Sequence, residues 1–208
     1  MRHHSEEGAL VLADITGFTE FVTATEIEHA PPIIAELLEA VIGRISPPLE
    51  IQEVEGDAVF ALAPDQVLDS RQSLLEVLEN AAGAFHRRRQ ELAADESCRC
   101  GACRSVRSLD LKIVVHHGRF LRHEVGGRSQ AAGADVILTH RLLKNGVPSR
   151  GYLLLTEPAL RWAEVDPVRG GLHPHVERYE HLGEVVCFVK ELGEPARRDA
   201  RSGVAQAR

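Results

Sequence analysis

The chain has 208 residues, 44% of them hydrophobic, and a formal net charge of −7 at pH 7. That length and composition predict one domain with a sizeable core. The acidic balance argues against a general nucleic-acid binder, which needs clustered Lys and Arg for phosphates. No stretch approaches the ~18 apolar residues of a membrane span. The opening MRHHSEEG lacks the apolar core of a signal peptide, so the expected location is the cytoplasm. Four cysteines then suggest thiols or a metal site before disulfides.

Residues 9–14 read as a Val- and Leu-rich strand, and a short helical segment is expected over about 16–25. Pro31-Pro32 suit the first turn of a second helix, where a missing N–H costs little. Ile33, Ile34, Leu37, Leu38, Val41, Ile42 and Ile45 recur there at helical spacing, and Pro47-Pro48 stops the run. "LEIQEV" (49–54) and "AVFAL" (58–62) flank the turn "EGD" and read as a hairpin. A long helix is expected over roughly 66–92. Residues 94–108, "ADESCRCGACRSVRS", read as a polar loop with three cysteines. "LDLKIVVHHG" (109–118) alternates as a strand, and "RFLRHEVGG" is expected to continue it as a paired strand. "GADVILTHRLLKNG" (133–146) reads as a helix closed by Asn145-Gly146. "GYLLLT" (151–156) is a strand, and Thr156-Glu157-Pro158 starts a further helix. Residues 166–175 look irregular, and "VERYEHL" and "VVCFVKEL" complete a sheet. The expected domain therefore spans 9–192, with 94–108 as an insertion. Residues 1–8 are expected to be a flexible start, and 193–208 a disordered tail. Helices that interrupt a mixed or antiparallel sheet indicate an α+β layered fold of the ferredoxin-like kind.

Two aspartates stand out in this order. Asp14 ends the first strand and Asp57 sits in the hairpin turn. If those strands are neighbours, both carboxylates emerge at one sheet edge, which suits Mg²⁺ or Mn²⁺ with a triphosphate completing the coordination. Thr16, Gly17, Phe18 and Thr19 open a helix whose free N–H groups can receive phosphate. Taken singly, Asp14 also reads as a helix cap and Asp57 as an ordinary turn residue.

"LADITGFTEF" with "VEGDAVFAL" resembles the class III adenylyl and guanylyl cyclase catalytic domain. The likeness extends through "LKIVVHHG" and "GADVILTHRLL". It is closer still to a bacterial, cyclase-related family of uncharacterised function with the same cysteine loop. The resemblance implies a ferredoxin-like fold and active sites at a head-to-tail homodimer interface. It implies metal ligation by Asp14, Asp57 and the Ile15 carbonyl, with the triphosphate on the amides around Gly17 and Phe18. The implied reaction closes a purine nucleoside triphosphate to a 3′,5′-cyclic nucleotide and releases pyrophosphate.

The partner-chain half of the pattern departs from that family. Arg141 matches the arginine that stabilises the transferring phosphate, but Ile137 stands where an asparagine orients the ribose. Leu182 stands where a lysine is expected before Gly183; the nearest basic groups are His181 and Lys190. At the base-reading positions, Glu53 suits the N1–H and N2–H₂ edge of guanine, and Gln130 is the second such position. Three readings stay open: first a weak or altered cyclase, then a degenerate homology domain that binds nucleotide or dimerises, and behind both a zinc-stabilised interaction protein that has lost nucleotide binding. A heterodimer with an intact homologue would supply the missing groups.

Cys98, Cys100 and Cys103 have the spacing of zinc ligands, but structural zinc usually takes four. The fourth is open among His86, His116, His117, His123 and a cysteine of a second chain. A redox-sensing thiol cluster is the other reading, and Cys187 lies in an apolar run that suits a small core residue.

Overall fold

Along β1 (Ser5–Thr16) the side chains alternate between two faces of one sheet. Ala9, Val11, Ala13 and Ile15 enter the main core, whereas Leu10 and Leu12 enter a second cluster on the opposite face. This period-2 division is the physical origin of the layers. The computed structural model describes residues 5–23, 29–67, 73–94 and 101–193.

Among the described residues the sheet has eight strands in the order β2-β3-β1-β4-β6-β8-β7, with β5 paired to β4. They are β2 (Glu50–Glu55), β3 (Ala58–Pro64), β4 (Asp110–Val125), β5 (Arg128–Ala132), β6 (Tyr152–Thr156), β7 (His173–Tyr179) and β8 (Gly183–Glu191). β4 and β6 run parallel; the other pairs are antiparallel. The helices are α1 (Phe18–Thr23), α2 (Ala30–Ile45), α3 (Ser73–Ala94), α4 (Gly101–Ser105), α5 (Ala134–Arg141) and α6 (Glu157–Trp162). The apolar stripes of α2, α3 and α6 cover one sheet face. α5 contributes Val136 to the other face, which also holds Phe60, Phe120 and, further along, Val114, Tyr152 and Leu154. The α+β layered class read from the sequence is the observed one.

Several elements differ from expectation. β1 starts at Ser5, inside the stretch taken as flexible, because Ser5–Gly8 pair with Gly118–Leu121 of β4. The described part of the long helix starts at Ser73, after a turn at 65–67. The segment 101–108 is α4 followed by a 3-10 turn at Val106–Ser108, not a loop. Ala102 and Val106 are fully buried in the main core, so packing overrides the polar local sequence. β4 is one strand of 16 residues, and Gly118 does not end it. A Cβ there would meet the Asp135 carboxylate, so this glycine makes room for α5. α5 ends at Arg141, and Asn145 follows in an irregular segment, donating from Nδ2 to the Leu142 carbonyl (2.6 Å). Of the expected tail, 193–208, all but Gly193 lies outside the described residues.

Thr156 begins α6 as read from the sequence: its side chain accepts from the Ala159 N–H at 3.4 Å. The same Oγ1 lies 2.8 Å from His116 Nδ1, and both residues are buried. Thr156→Ala is expected to cost about 1–2 kcal/mol through loss of the cap and of the histidine's partner. Thr156→Ser should recover most of it in urea denaturation.

Candidate active site

One rung of the sheet carries the chemistry. In register across three adjacent strands stand Asp14 of β1, Lys112 of β4 and Tyr152 of β6. Asp14 follows Leu10 and Leu12 at period 2, so it points to the α5 side. Lys112 Nζ is 2.9 Å from Asp14 Oδ2, with the two side chains only 19% and 14% exposed. The same ammonium donates to the Leu143 carbonyl at 3.2 Å. Burial raises the Tyr152 pKa, and the Asp14 charge adds to the shift.

Asp57 reaches this edge from the β2–β3 turn. Gly56 at φ 59° makes the turn, and the Asp57 carbonyl accepts from the Ile15 N–H at 3.1 Å. Burial pushes the Asp57 carboxyl up to about 6, and the Asp14 charge pushes in the same direction. A hydrogen bond from its own backbone and the Lys112 charge oppose the shift. Asp14 stands in register with Ala58, the residue after Asp57, so the two aspartates meet at one sheet edge, with Lys112 ion-paired to Asp14. Two carboxylates that repel in a half-buried site suit a divalent cation, and oxygen ligands suit Mg²⁺ or Mn²⁺.

The stretch behind Asp14 has local causes of its own. Gly17 adopts φ 91°, and a Cβ there would collide with the Arg150 guanidinium. Arg150 Nη2 also donates to the Ser108 carbonyl at 3.0 Å. The Gly17 carbonyl accepts the first α1 bond from Phe21 N–H (2.9 Å). Among the described residues the buried Thr16 hydroxyl has no hydrogen-bond partner. Phe18 packs against the main core, and Thr19 is exposed.

Two cavities open on the α5 side. One, of ≈ 310 Å³, has Gln52, Glu53 and Gln130 in its lining; the other, of ≈ 330 Å³, has Glu53, Asp57 and Leu143. The structure thus brings Glu53 and Gln130 together, though they come from β2 and β5. Arg141 is exposed on α5, and so is Ile137, at 56%. Leu182 lies in the β7–β8 turn, where its N–H donates to Tyr179. The sequence pattern does not single out Lys112, Gln52 or Arg150. The β1–β4 register is the signal that finds Lys112, because pairing puts it opposite Asp14.

Cys103 is half-buried on α4, whereas Cys98 and Cys100 lie outside the described residues. Among the described residues no group of three His, Cys, Asp or Glu could hold a metal ion. Three of the proposed fourth ligands have other partners. His86 Nε2 is 3.0 Å from Asp110, and His117 Nε2 is 3.1 Å from Asp65. His116 contacts Thr156, and its Nε2 lies 3.3 Å from Asp135 without hydrogen-bond alignment. Burial lowers the His116 pKa, with Asp135 opposing. Cys187 is fully buried, as its apolar run suggested.

Comparison with known proteins sets the class first. The guanylyl cyclase Cya2 matches with a TM-score of 0.66 and 18% identity, over 95% of this chain and 98% of that one. The adenylyl cyclase CyaB from P. aeruginosa matches at 0.63 and 14%, over 96% and 99%. The guanylate cyclase domain of RhGC from Catenaria anguillulae, solved with GTP, matches at 0.65 and 13%, over 89% and 97%. The fold is that of the nucleotide cyclase catalytic domain. The chain itself belongs to a family described as proteins of unknown function (DUF2652), whose model matches residues 34–152. It is also 32% identical over 159 residues to the uncharacterized protein Rv2561/Rv2562 of Mycobacterium tuberculosis, covering 76% of this chain and 73% of the relative. Among the described residues no helix is long and apolar enough to cross a membrane.

Proposed function

We propose that this protein is a cyclase-like domain that binds a purine nucleoside triphosphate with Mg²⁺ or Mn²⁺ at the Asp14–Asp57 edge. The observation that carries this reading is the register that sets Asp14 opposite Ala58, beside Asp57, at one sheet edge, with Lys112 ion-paired to Asp14. Asp14, Asp57 and the Ile15 carbonyl would hold the metal. When bound, it would neutralise phosphate charge and lower the pKa of an attacking hydroxyl. Lys112 would turn from Asp14 towards the phosphates, and the buried Thr16 hydroxyl and the amides around Gly17 and Phe18 would face them. Glu53 and Gln130 would read the base edge, with guanine favoured by the carboxylate.

The reaction proposed for this arrangement is cyclisation. A ribose 3′-hydroxyl gives up its proton to solvent as its oxygen bonds to the α-phosphorus, the bridge to the β-phosphate breaks, and pyrophosphate leaves with the electron pair. Arg141, exposed on α5, would reach the transferring phosphate in a head-to-tail homodimer. A second reading is favoured by Ile137 and Leu182, which offer no polar atom beyond the backbone: nucleotide binding or dimerisation without turnover. Zinc at the cysteine loop would be a separate, structural feature.

The test is incubation with each of the four ribonucleoside triphosphates and Mn²⁺ or Mg²⁺, following cyclic product, pyrophosphate and equilibrium binding. Metal-dependent purine binding is the expected result. Product then selects the enzyme reading, and binding without product selects the regulatory one. Absence of metal-dependent binding for all four triphosphates sinks both nucleotide readings.

A further inference from the structure

We infer that the cleft between α1, α2 and the β2–β3 turn is a binding site for a small apolar molecule with a cationic head. The cleft has a volume of ≈ 510 Å³ and is walled by α2, which lines neither of the two cavities on the α5 side. Phe18 and Val22 of α1, Leu38 and Ile42 of α2, and Val54 of β2 form its apolar surface. Phe18 and Ile42 rest on the main core and Leu38 is buried, so the floor is fixed in place. Val22 and Val54 flank it with 36% and 52% of their surface in water. Apolar side chains left in water normally stand singly; here they border one concave, core-backed cleft. Its volume falls in the range of small-molecule sites.

Charge decides which small molecule fits. Among the described residues of the lining, Glu39 alone is ionisable. Glu39 is exposed on α2, and among the described residues its carboxylate has no hydrogen-bond or ion-pair partner. Glu36, three positions earlier on the same helix, is paired with Arg88 instead. An unpaired carboxylate at the mouth of an apolar cleft attracts an ammonium and repels a second carboxylate. No cation in the described lining offsets that repulsion. An amine with an apolar chain is therefore favoured over the alcohol of the same chain, and the alcohol over the fatty acid.

The experiment titrates the full chain by calorimetry with octylammonium, octanol and octanoate at neutral pH, each below its micelle concentration. Octylammonium should bind saturably at one site. Octanol should bind about threefold more weakly, the scale of one solvent-exposed charge contact, and octanoate more weakly again. Glu39→Gln should bring the three affinities together while octanol binds as before. Ala35 is exposed on α2 and belongs to the lining, so Ala35→Phe fills the cleft without disturbing the core. That variant should lose all three ligands and keep the wild-type melting temperature. Three outcomes overturn the inference: no saturable binding of octylammonium, binding that survives Ala35→Phe, or an amine preference that survives Glu39→Gln. A fourth is a wild type whose self-association, followed by sedimentation, disappears in Ala35→Phe, which would give the cleft to a second copy of the chain.

Discussion

Asp57→Asn is expected to lower metal-dependent turnover of the triphosphate by on the order of 10²–10³, the usual cost of losing a fixed charge-stabilising group. If the domain only binds, the same loss should appear in Mn²⁺-dependent affinity. The substitution keeps the shape of the turn, and the backbone carbonyl that holds Ile15 N–H is untouched. The fold should survive, and the metal-free protein should gain stability. Asp57 has its carboxyl raised from 3.8 to about 6, chiefly by burial and then by Asp14. A raised carboxyl favours folding fully below its unfolded value, and that contribution is lost as pH rises through about 6. The shift corresponds to roughly 3 kcal/mol at most, and solvent screening brings it nearer 1–2. Metal-free Asp57→Asn should therefore melt above wild type at pH 8 and close to it at pH 4. Mn²⁺ should raise the wild-type melting temperature at pH 8 and have little effect at pH 5, where a proton competes for the same oxygen. An Asn variant that binds Mn²⁺-triphosphate as tightly as wild type would remove Asp57 from the site.

The parts of the fold legible in the sequence are those whose local pattern and burial agree. α2 shows its stripe because Ile33, Leu37, Leu38, Val41 and Ile45 all face the core. The β2–β3 turn shows itself because Gly56 supplies the positive φ that the hairpin needs. α4 and the 3-10 turn after it were illegible because only Ala102 and Val106 mark them, and their burial depends on the rest of the core. Gly118 looked like a strand end because the reason for it, the Asp135 carboxylate, comes from 17 positions further along the chain.

The same division runs through the candidate site. Asp14 and Asp57 were readable because a strand end and a hairpin turn are local features. Glu53 and Gln130 could be named singly, but their shared cavity depends on how β2 and β5 are placed. Lys112 was hidden inside an alternating strand, where a polar residue usually means a solvated face. Its partner is set by the β1–β4 register across nearly a hundred positions, which composition and periodicity do not encode.

Lys112→Met is expected to act in opposite directions on metal and on nucleotide. In the metal-free protein Lys112 is the cation at 2.9 Å from Asp14. Both side chains are mostly shielded from water, so removing the ammonium leaves Asp14 beside Asp57 with neither solvent nor a counter-charge to offset the repulsion. That should destabilise the metal-free fold by about 2–4 kcal/mol, a little below the ~3–5 for breaking a fully buried pair, because both side chains keep some contact with water. Met keeps most of the aliphatic stem, so the loss reports charge rather than packing. A divalent cation no longer has to displace an ammonium from Asp14. Affinity for Mn²⁺ alone should rise several-fold, and Mn²⁺ should recover most of the lost melting temperature. Triphosphate affinity should fall about tenfold, because the ammonium that would turn to the phosphates is gone. A diphosphate should lose less than a triphosphate if Lys112 reaches the terminal group, and as much if it holds an inner one. Calorimetry with Mn²⁺ first and nucleotide second separates the two effects. A variant weakened equally for metal and nucleotide would make Lys112 a stabilising strut, and the opposed signs would then have to be abandoned.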